Sequence, residues 1–130
     1  MTIRVRSVLM LLGAVATAVT LANAGTAAAQ PGGVMPHDGD YLVGVDIVPG
    51  IWEAPGTPDP ALECAWKRLW RPWTAADDDN PKSRPLLDQH FTRDEHPVRV
   101  TIQPTDAAFK TANCGEWHLI LPLPTGSSNP

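Results

Sequence analysis

The sequence predicts a small all-β domain: two antiparallel sheets packed as a sandwich, or a partly open barrel, closed by one disulfide. Three observations lead there. All 14 prolines follow Ala29. Proline inside a helix costs about 3 kcal/mol but is tolerated at turns, bulges and sheet edges, so short strands fit where long helices do not. Two stretches, Tyr41-Val43-Val45-Ile47 and Val98-Val100-Ile102, repeat apolar residues with the period of a half-buried strand. The two cysteines, Cys64 and Cys114, follow what reads as an export signal, and two thiols in an exported chain most simply pair with each other.

The signal comes first in chain order. Arg4 and Arg6 form a positive start, residues 8–22 are apolar and uncharged, and Ala27, Ala28 and Ala29 offer the small side chains a signal peptidase reads. Cleavage is expected after Ala29, with Ala24 as the second choice, giving a signal peptide over 1–29. The apolar run falls short of the roughly 20 residues a spanning helix needs, so no membrane span is expected in the mature chain. Val5 separates the two arginines, and no cysteine lies near the cleavage site to take a lipid. The remaining 101 residues hold 8 Lys/Arg against 14 Asp/Glu, a formal net charge of −6. One domain is expected at that length. An acidic exported chain is poorly suited to nucleic acid or anionic lipid, which call for basic patches.

A domain of this size buries only about two-thirds of its unfolded surface, so a covalent link helps a modest core. Closing the Cys64–Cys114 loop is worth roughly 4 kcal/mol in the chain-entropy account. The spacing of the two thiols matches no zinc pattern.

Residues 30–39, rich in Gly and Pro, read as a flexible lead-in, and the domain itself is expected over 40–122. Residues 41–47 form the clearest strand, with Tyr41, Val43, Val45 and Ile47 on one face. Residues 48–51 read as a type II turn in which Pro49 presets φ and Gly50 supplies a positive φ. A short strand, Ile51-Trp52-Glu53, and a Pro-rich loop over 55–60 follow. Two readings compete over residues 59–73. Leu62, Ala65, Trp66, Leu69, Trp70 and Trp73 recur at helical spacing, with Asp59 to cap, Pro60 to open and Glu63–Lys67 as an i,i+4 pair. That helix would turn Cys64 away from its apolar stripe, whereas a strand puts Cys64 and Trp66 on one face. The strand is preferred, and the helix remains the alternative.

Residues 75–85 read as a polar loop carrying the run Asp77-Asp78-Asp79-Asn80. Residues 98–102 form a second clean strand with Val98, Val100 and Ile102 inward. Pro104-Thr105-Asp106 begins a turn, or a single helical turn ending near Phe109. Residues 113–119 read as the closing strand, stopped by Pro122 and Pro124, and 123–130 as a disordered tail.

Three segments carry a resemblance. Asp38-Gly39-Asp40-Tyr41-Leu42-Val43-Gly44-Val45-Asp46-Ile47-Val48-Pro49-Gly50-Ile51-Trp52 follows the pattern DG-x-Y-x-V-G-x-D-I-x-P-G-x-Y/W. Cys64-Ala65-Trp66-Lys67-Arg68-Leu69 follows C-x-W-x-R-L, and Asp106-Ala107-Ala108-Phe109 with Cys114-Gly115-Glu116-Trp117 follows D-x-x-F … C-G-x-W. On these residues the chain resembles a family of small exported actinobacterial proteins, mycobacterial in type, of unknown function. The resemblance spans most of the mature chain in order. It departs over residues 70–91, which look longer and different, and at Ala65, where the family often has an aromatic. It implies a β-rich fold and an exported compartment, and so favours the strand over residues 59–73. It implies no activity, ligand, cofactor or catalytic residue.

Catalytic constellations are weak. Ser83, Ser127 and Ser128 fall in expected loops or the tail, and none sits in a G-x-S-x-G elbow. Many carboxylates are present but no pair stands out for glycoside hydrolysis. His37, His90, His96 and His118 show no metal-ligand spacing, although Asp88 and His90 are placed to share a strand face. The Asp77–Asp79 run lacks the glycine of a calcium loop.

The strongest candidate is aromatic. Trp70-Arg71-Pro72-Trp73 reads as a platform, two indoles for sugar rings or an apolar partner with Arg71 adding a cation–π contact. The competing reading folds both indoles back over the small core. Asp46, Pro49, Gly50, Cys64, Trp66, Phe109, Cys114 and Trp117 read as scaffold. The expectation is therefore a secreted, non-enzymatic binding or cell-envelope interaction module using Trp70, Arg71 and Trp73. Its expected partner is an envelope glycan or an extracellular protein, with no catalytic residue, cofactor or metal. The alternative is a small secreted hydrolase with an unrecognised carboxylate/His site.

Overall fold

Short apolar alternations bounded by Pro and Gly form strands throughout the computed structural model, which describes residues 30–124. The segment expected as a signal, 1–29, and residues 125–130 of the expected tail lie outside the described residues. The strands are β1 (Val34–Met35), β2 (Gly39–Leu42), β3 (Gly50–Ala54), β4 (Cys64–Leu69), β5 (Leu86–Thr92), β6 (Val98–Ile102), β7 (Ala108–Ala112) and β8 (Trp117–Pro122). One short helix, α1 (Ala75–Asp79), and a 3-10 turn (Pro81–Ser83) stand between β4 and β5. The strands make two four-stranded sheets, ordered β1-β8-β3-β6 and β2-β7-β4-β5, and every strand pairing is antiparallel.

The inner faces of the sheets make one core. Met35, Trp52, Ala54, Val98, Val100, Ile102 and Trp117 come from the first sheet, and Cys64, Trp66 and Phe109 from the second. Phe109 sits between two indoles. It stacks on Trp66 with centroids 6.0 Å apart and meets Trp117 edge-on at 5.5 Å, a geometry worth about 0.5–1.5 kcal/mol per pair beyond the area buried. The Trp117 indole donates to Thr111 Oγ1 at 2.9 Å, linking the first sheet to the second inside the core. Cys64 and Cys114 are bonded and fully buried.

β4 is a strand, paired on one side with β5 and on the other with β7. The helix that its apolar spacing allows would have buried Leu62, which is exposed, and left Cys64 outside. Asp59 caps a turn instead, its Oδ1 accepting from the Ala61 N–H at 2.9 Å. β6 runs as expected, with Val98, Val100 and Ile102 buried.

Four expectations are corrected. The strand over 41–47 stops at Leu42, and the chain turns through Gly44 at φ +85°, with the Asp46 carboxylate accepting from the Leu42 N–H at 2.8 Å. That turn leaves Val45 59% exposed while Ile47 is buried. Gly50 has no positive φ. It begins β3, where a Cβ would run into the Leu121 carbonyl and come within 2.8 Å of the Leu119 side chain, so close approach of β8 demands glycine. The expected lead-in already contains β1, and Met35 is fully buried. The closing strand begins only at Trp117, after Asn113 (φ +60°) and Gly115 (φ +87°) turn the chain; of the two readings for residues 104–106 the turn holds, and β7 follows it. At the other end, Leu123 N–H donates to the Pro49 carbonyl at 3.0 Å.

Because the bond closes a loop of sequence separation 50, the chain-entropy account puts it at roughly 4 kcal/mol. Reduction with dithiothreitol, or the Cys64→Ser/Cys114→Ser pair, should lower the melting temperature steeply, at about 4–8 °C per kcal/mol for a domain of this size. Circular dichroism melts of the oxidised and reduced protein measure this. Coincident melts would refute the staple.

Candidate functional site

The segment between β4 and β5 closes on itself through a Trp70 N–H bond of 3.0 Å to the Pro85 carbonyl. It lies over the outer face of the second sheet. By strand alternation Leu69 and its cross-strand partner Ala108 point to that face. Both are fully buried yet stand outside the inter-sheet core.

A single carboxylate organises this segment. Asp77, in α1, accepts from Thr74 N at 2.8 Å, Thr74 Oγ1 at 3.1 Å and Ser83 Oγ at 2.7 Å. Arg71 meets it with both ends of its fork, Nη1 to Oδ2 at 2.9 Å and Nη2 to Oδ1 at 3.0 Å, the bidentate geometry that makes such pairs strong. The Arg71 hydrogen bonds, foremost, hold the Asp77 carboxyl well below the usual carboxylate range, and the Thr74 and Ser83 donors add to the effect. The residues expected to be a polar loop are thus a compact, internally bonded unit.

The three platform residues therefore have different situations. Arg71 is committed: besides Asp77 it donates to the carbonyls of Ser83 at 2.6 Å and Pro72 at 2.9 Å. Its guanidinium also stands 5.3 Å from the ring of Trp70, a residue 54% exposed. Trp73 is half-buried, and its indole N–H donates to Asp78 Oδ1 at 2.9 Å. Around the Trp73 ring stand Lys110 Nζ at 5.3 Å, Arg84 at 5.6 Å and Lys67 Nζ at 5.9 Å. Neither indole belongs to the inter-sheet core.

Lys67, Lys110 and Arg84 were not singled out from the sequence. Lys67 and Lys110 meet only because β4 pairs with β7, and that pairing leaves no local trace. Burial, first, and then the positive charges of Lys110 and Arg84 push the Lys67 ammonium below the ordinary lysine value.

Other titratable groups make exposed pairs. His90 Nε2 lies 2.7 Å from Glu95 Oε1, and His118 Nε2 lies 2.9 Å from Glu116 Oε1. Asp88 and His90 share a face of β5, but Asp88 turns to Arg68 at 3.9 Å while His90 takes Glu95. Ser83 is engaged with Asp77, and Ser127 and Ser128 lie outside the described residues. On the outer face of the first sheet, Glu53 and His118 are cross-strand partners. With Ala54, Pro55, Pro97 and Ile120 they line a shallow groove of about 240 Å³. Among the described residues no group of three or more His, Cys, Asp or Glu is arranged to hold a metal ion. No described helix is long and apolar enough to cross a membrane.

Residues 33–118 match the family described as the Rv1352-like extracellular domain. The uncharacterised proteins Rv1352 of Mycobacterium tuberculosis (strain H37Rv) and Mb1387 of Mycobacterium bovis are each 30% identical over 118 residues, covering 83% of this chain and 87% of the relative. No solved structure matches.

A carboxyl depressed in the folded state stabilises the fold above its unfolded pKa, about 4, and that contribution is lost as pH falls through the lower folded value. An Asp77→Asn variant should therefore be less stable than the parent at pH 7, and the gap should narrow as pH drops below about 4. Denaturant titrations across pH 2–8 measure it. A gap independent of pH would exclude the charge as its source.

Proposed function

The chain belongs to the Rv1352-like extracellular domain family, and from that premise we propose that it is an exported, non-enzymatic binding module of the cell envelope. In this reading the first 29 residues are removed on export, and the disulfide-closed sandwich presents the outer face of its second sheet to an envelope glycan or an extracellular protein. The observation that supports it most is the surface around Trp73. A half-buried indole is ringed by three cations, on a unit held rigid by Asp77 and absent from the inter-sheet core. Indoles give a large contact area at little cost in conformational entropy. Trp70, more exposed and backed by Arg71, extends the same segment.

A second reading, a small secreted hydrolase, draws on the pairing of Glu53 with His118 beside the groove on the opposite face. The two are separable. The Trp70→Ala/Trp73→Ala variant should keep the disulfide and a cooperative melt but lose retention on purified envelope glycan or on the partner protein. If it unfolds, the indoles belong to the scaffold and the binding reading fails. Turnover of a glycoside or ester panel that Glu53→Gln abolishes, and the tryptophan variant does not, would establish the hydrolase instead.

A further inference from the structure

The outer face of the second sheet holds an arrangement that sheets ordinarily avoid. Lys67 on β4 and Lys110 on β7 are directly opposed across the strands, and like charges so placed destabilise a sheet. Lys110 is answered on its other side by Asp40, its partner on β2, at 3.1 Å. Lys67 has Gln89 as its neighbour on β5. Among the described residues no carboxylate comes within ion-pair distance of it. Its ammonium rests instead 5.0 Å from the Phe91 ring and 5.9 Å from the Trp73 ring.

Arg84 brings a third positive charge to the same indole. Its Nε donates to the Asp77 carbonyl at 2.7 Å and one Nη to the Asp78 carbonyl at 3.0 Å, so the guanidinium is fixed while its other Nη stays out of both bonds. The Asp78 carboxylate is occupied by the Trp73 indole N–H. Burial makes Lys67 easier to deprotonate than an ordinary lysine, and so do the like charges of Lys110 and Arg84, which are the charges an incoming anion would offset.

Resting on the reading of the Trp73 surface as a binding site, we propose that Lys67, Lys110 and Arg84 form a subsite for a compact oxyanion, a carboxylate or phosphate, carried on a sugar ring that lies against Trp73. The class follows from the groups. Ammonium ions act as point donors to phosphate or carboxylate oxygens, and an indole face suits the apolar side of a sugar. A nucleic acid or other long polyanion is disfavoured. The cluster is local, bounded by Asp40 and Asp78, and the chain carries a formal net charge of −4.

The test titrates the disulfide-bonded secreted protein with D-glucuronate, D-glucose 6-phosphate, inorganic phosphate and D-glucose, followed by tryptophan fluorescence. The anionic sugars should bind about tenfold or more tighter than glucose, the scale of one charge-assisted hydrogen bond. Lys67→Gln should erase that preference and raise the melting temperature, because it removes the opposed charge. Lys67→Arg should keep the preference. Equal affinity for glucose and glucuronate, or a preference that survives Lys67→Gln, would overturn the oxyanion subsite while leaving the Trp73 surface standing. Inorganic phosphate binding as tightly as glucose 6-phosphate would overturn the sugar. Failure of all four probes would also overturn the subsite, and retention on envelope glycan, lost or kept in the tryptophan variant, then decides whether the binding reading falls with it.

Discussion

The Cys64–Cys114 bond joins the first residue of β4, a central strand of the second sheet, to the turn that carries the chain from β7 in that sheet to β8 in the first. A domain this small has little interior with which to hold two sheets face to face, and the bond fixes them at their point of crossing. The turn is built to receive it. Asn113 and Gly115 both take positive φ, the Asn113 N–H donates to Asp38 Oδ1 at 2.9 Å, and the Cys114 carbonyl accepts from Gly56 N–H at 2.9 Å. A Cβ on Gly115 would come within 2.8 Å of the Pro55 ring. Around this knot the core is aromatic, with Trp66, Phe109 and Trp117 in contact, and Trp66 buries an indole N–H that has no partner among the described residues.

Two arginine–aspartate pairs divide the remaining structural work. Arg68, on β4, reaches Asp106 in the turn before β7 through Nε at 2.7 Å and Nη2 at 2.9 Å, and Asp106 also accepts from Gln103 N–H at 3.0 Å. Asp106 is almost fully buried, so its partner cannot be removed without stranding a charge, at about 3–5 kcal/mol. Arg71 and Asp77 do the same for the inserted segment. The planar guanidinium suits both places, since its fork satisfies two carboxylate oxygens at once. The lysines are the contrast. Lys67 and Lys110 are opposed on the outer face, and among the described residues only Lys110 has a carboxylate partner, Asp40.

Legibility along the chain followed the range of the interaction. Val98 to Ile102 was readable because alternation is written in the segment itself. Pro49-Gly50 misled because glycine answers two needs, positive φ and close approach, and only the neighbour β8 shows which one applies. Residues 41–47 alternate well enough for a strand, but the Asp46 side chain bonds the Leu42 N–H and turns the chain first. α1 stood in a stretch, 75–85, read as loop, and β5 in residues left without an assigned element, because their order comes from Asp77 and from pairing with β4. In the segment after β4, Trp73 was visible as an aromatic, while the Lys110 beside it was not.

From the sequence alone came the all-β class with its single disulfide and the aromatic segment after β4, because composition, period and cysteine count are local or additive properties. Tertiary structure decided that Arg71 belongs to Asp77, and that Lys67, Lys110 and Arg84 converge on Trp73. Those contacts depend on the β4–β7 register and on a segment folded back across a sheet, and a register is set by long-range packing that no short window of residues contains.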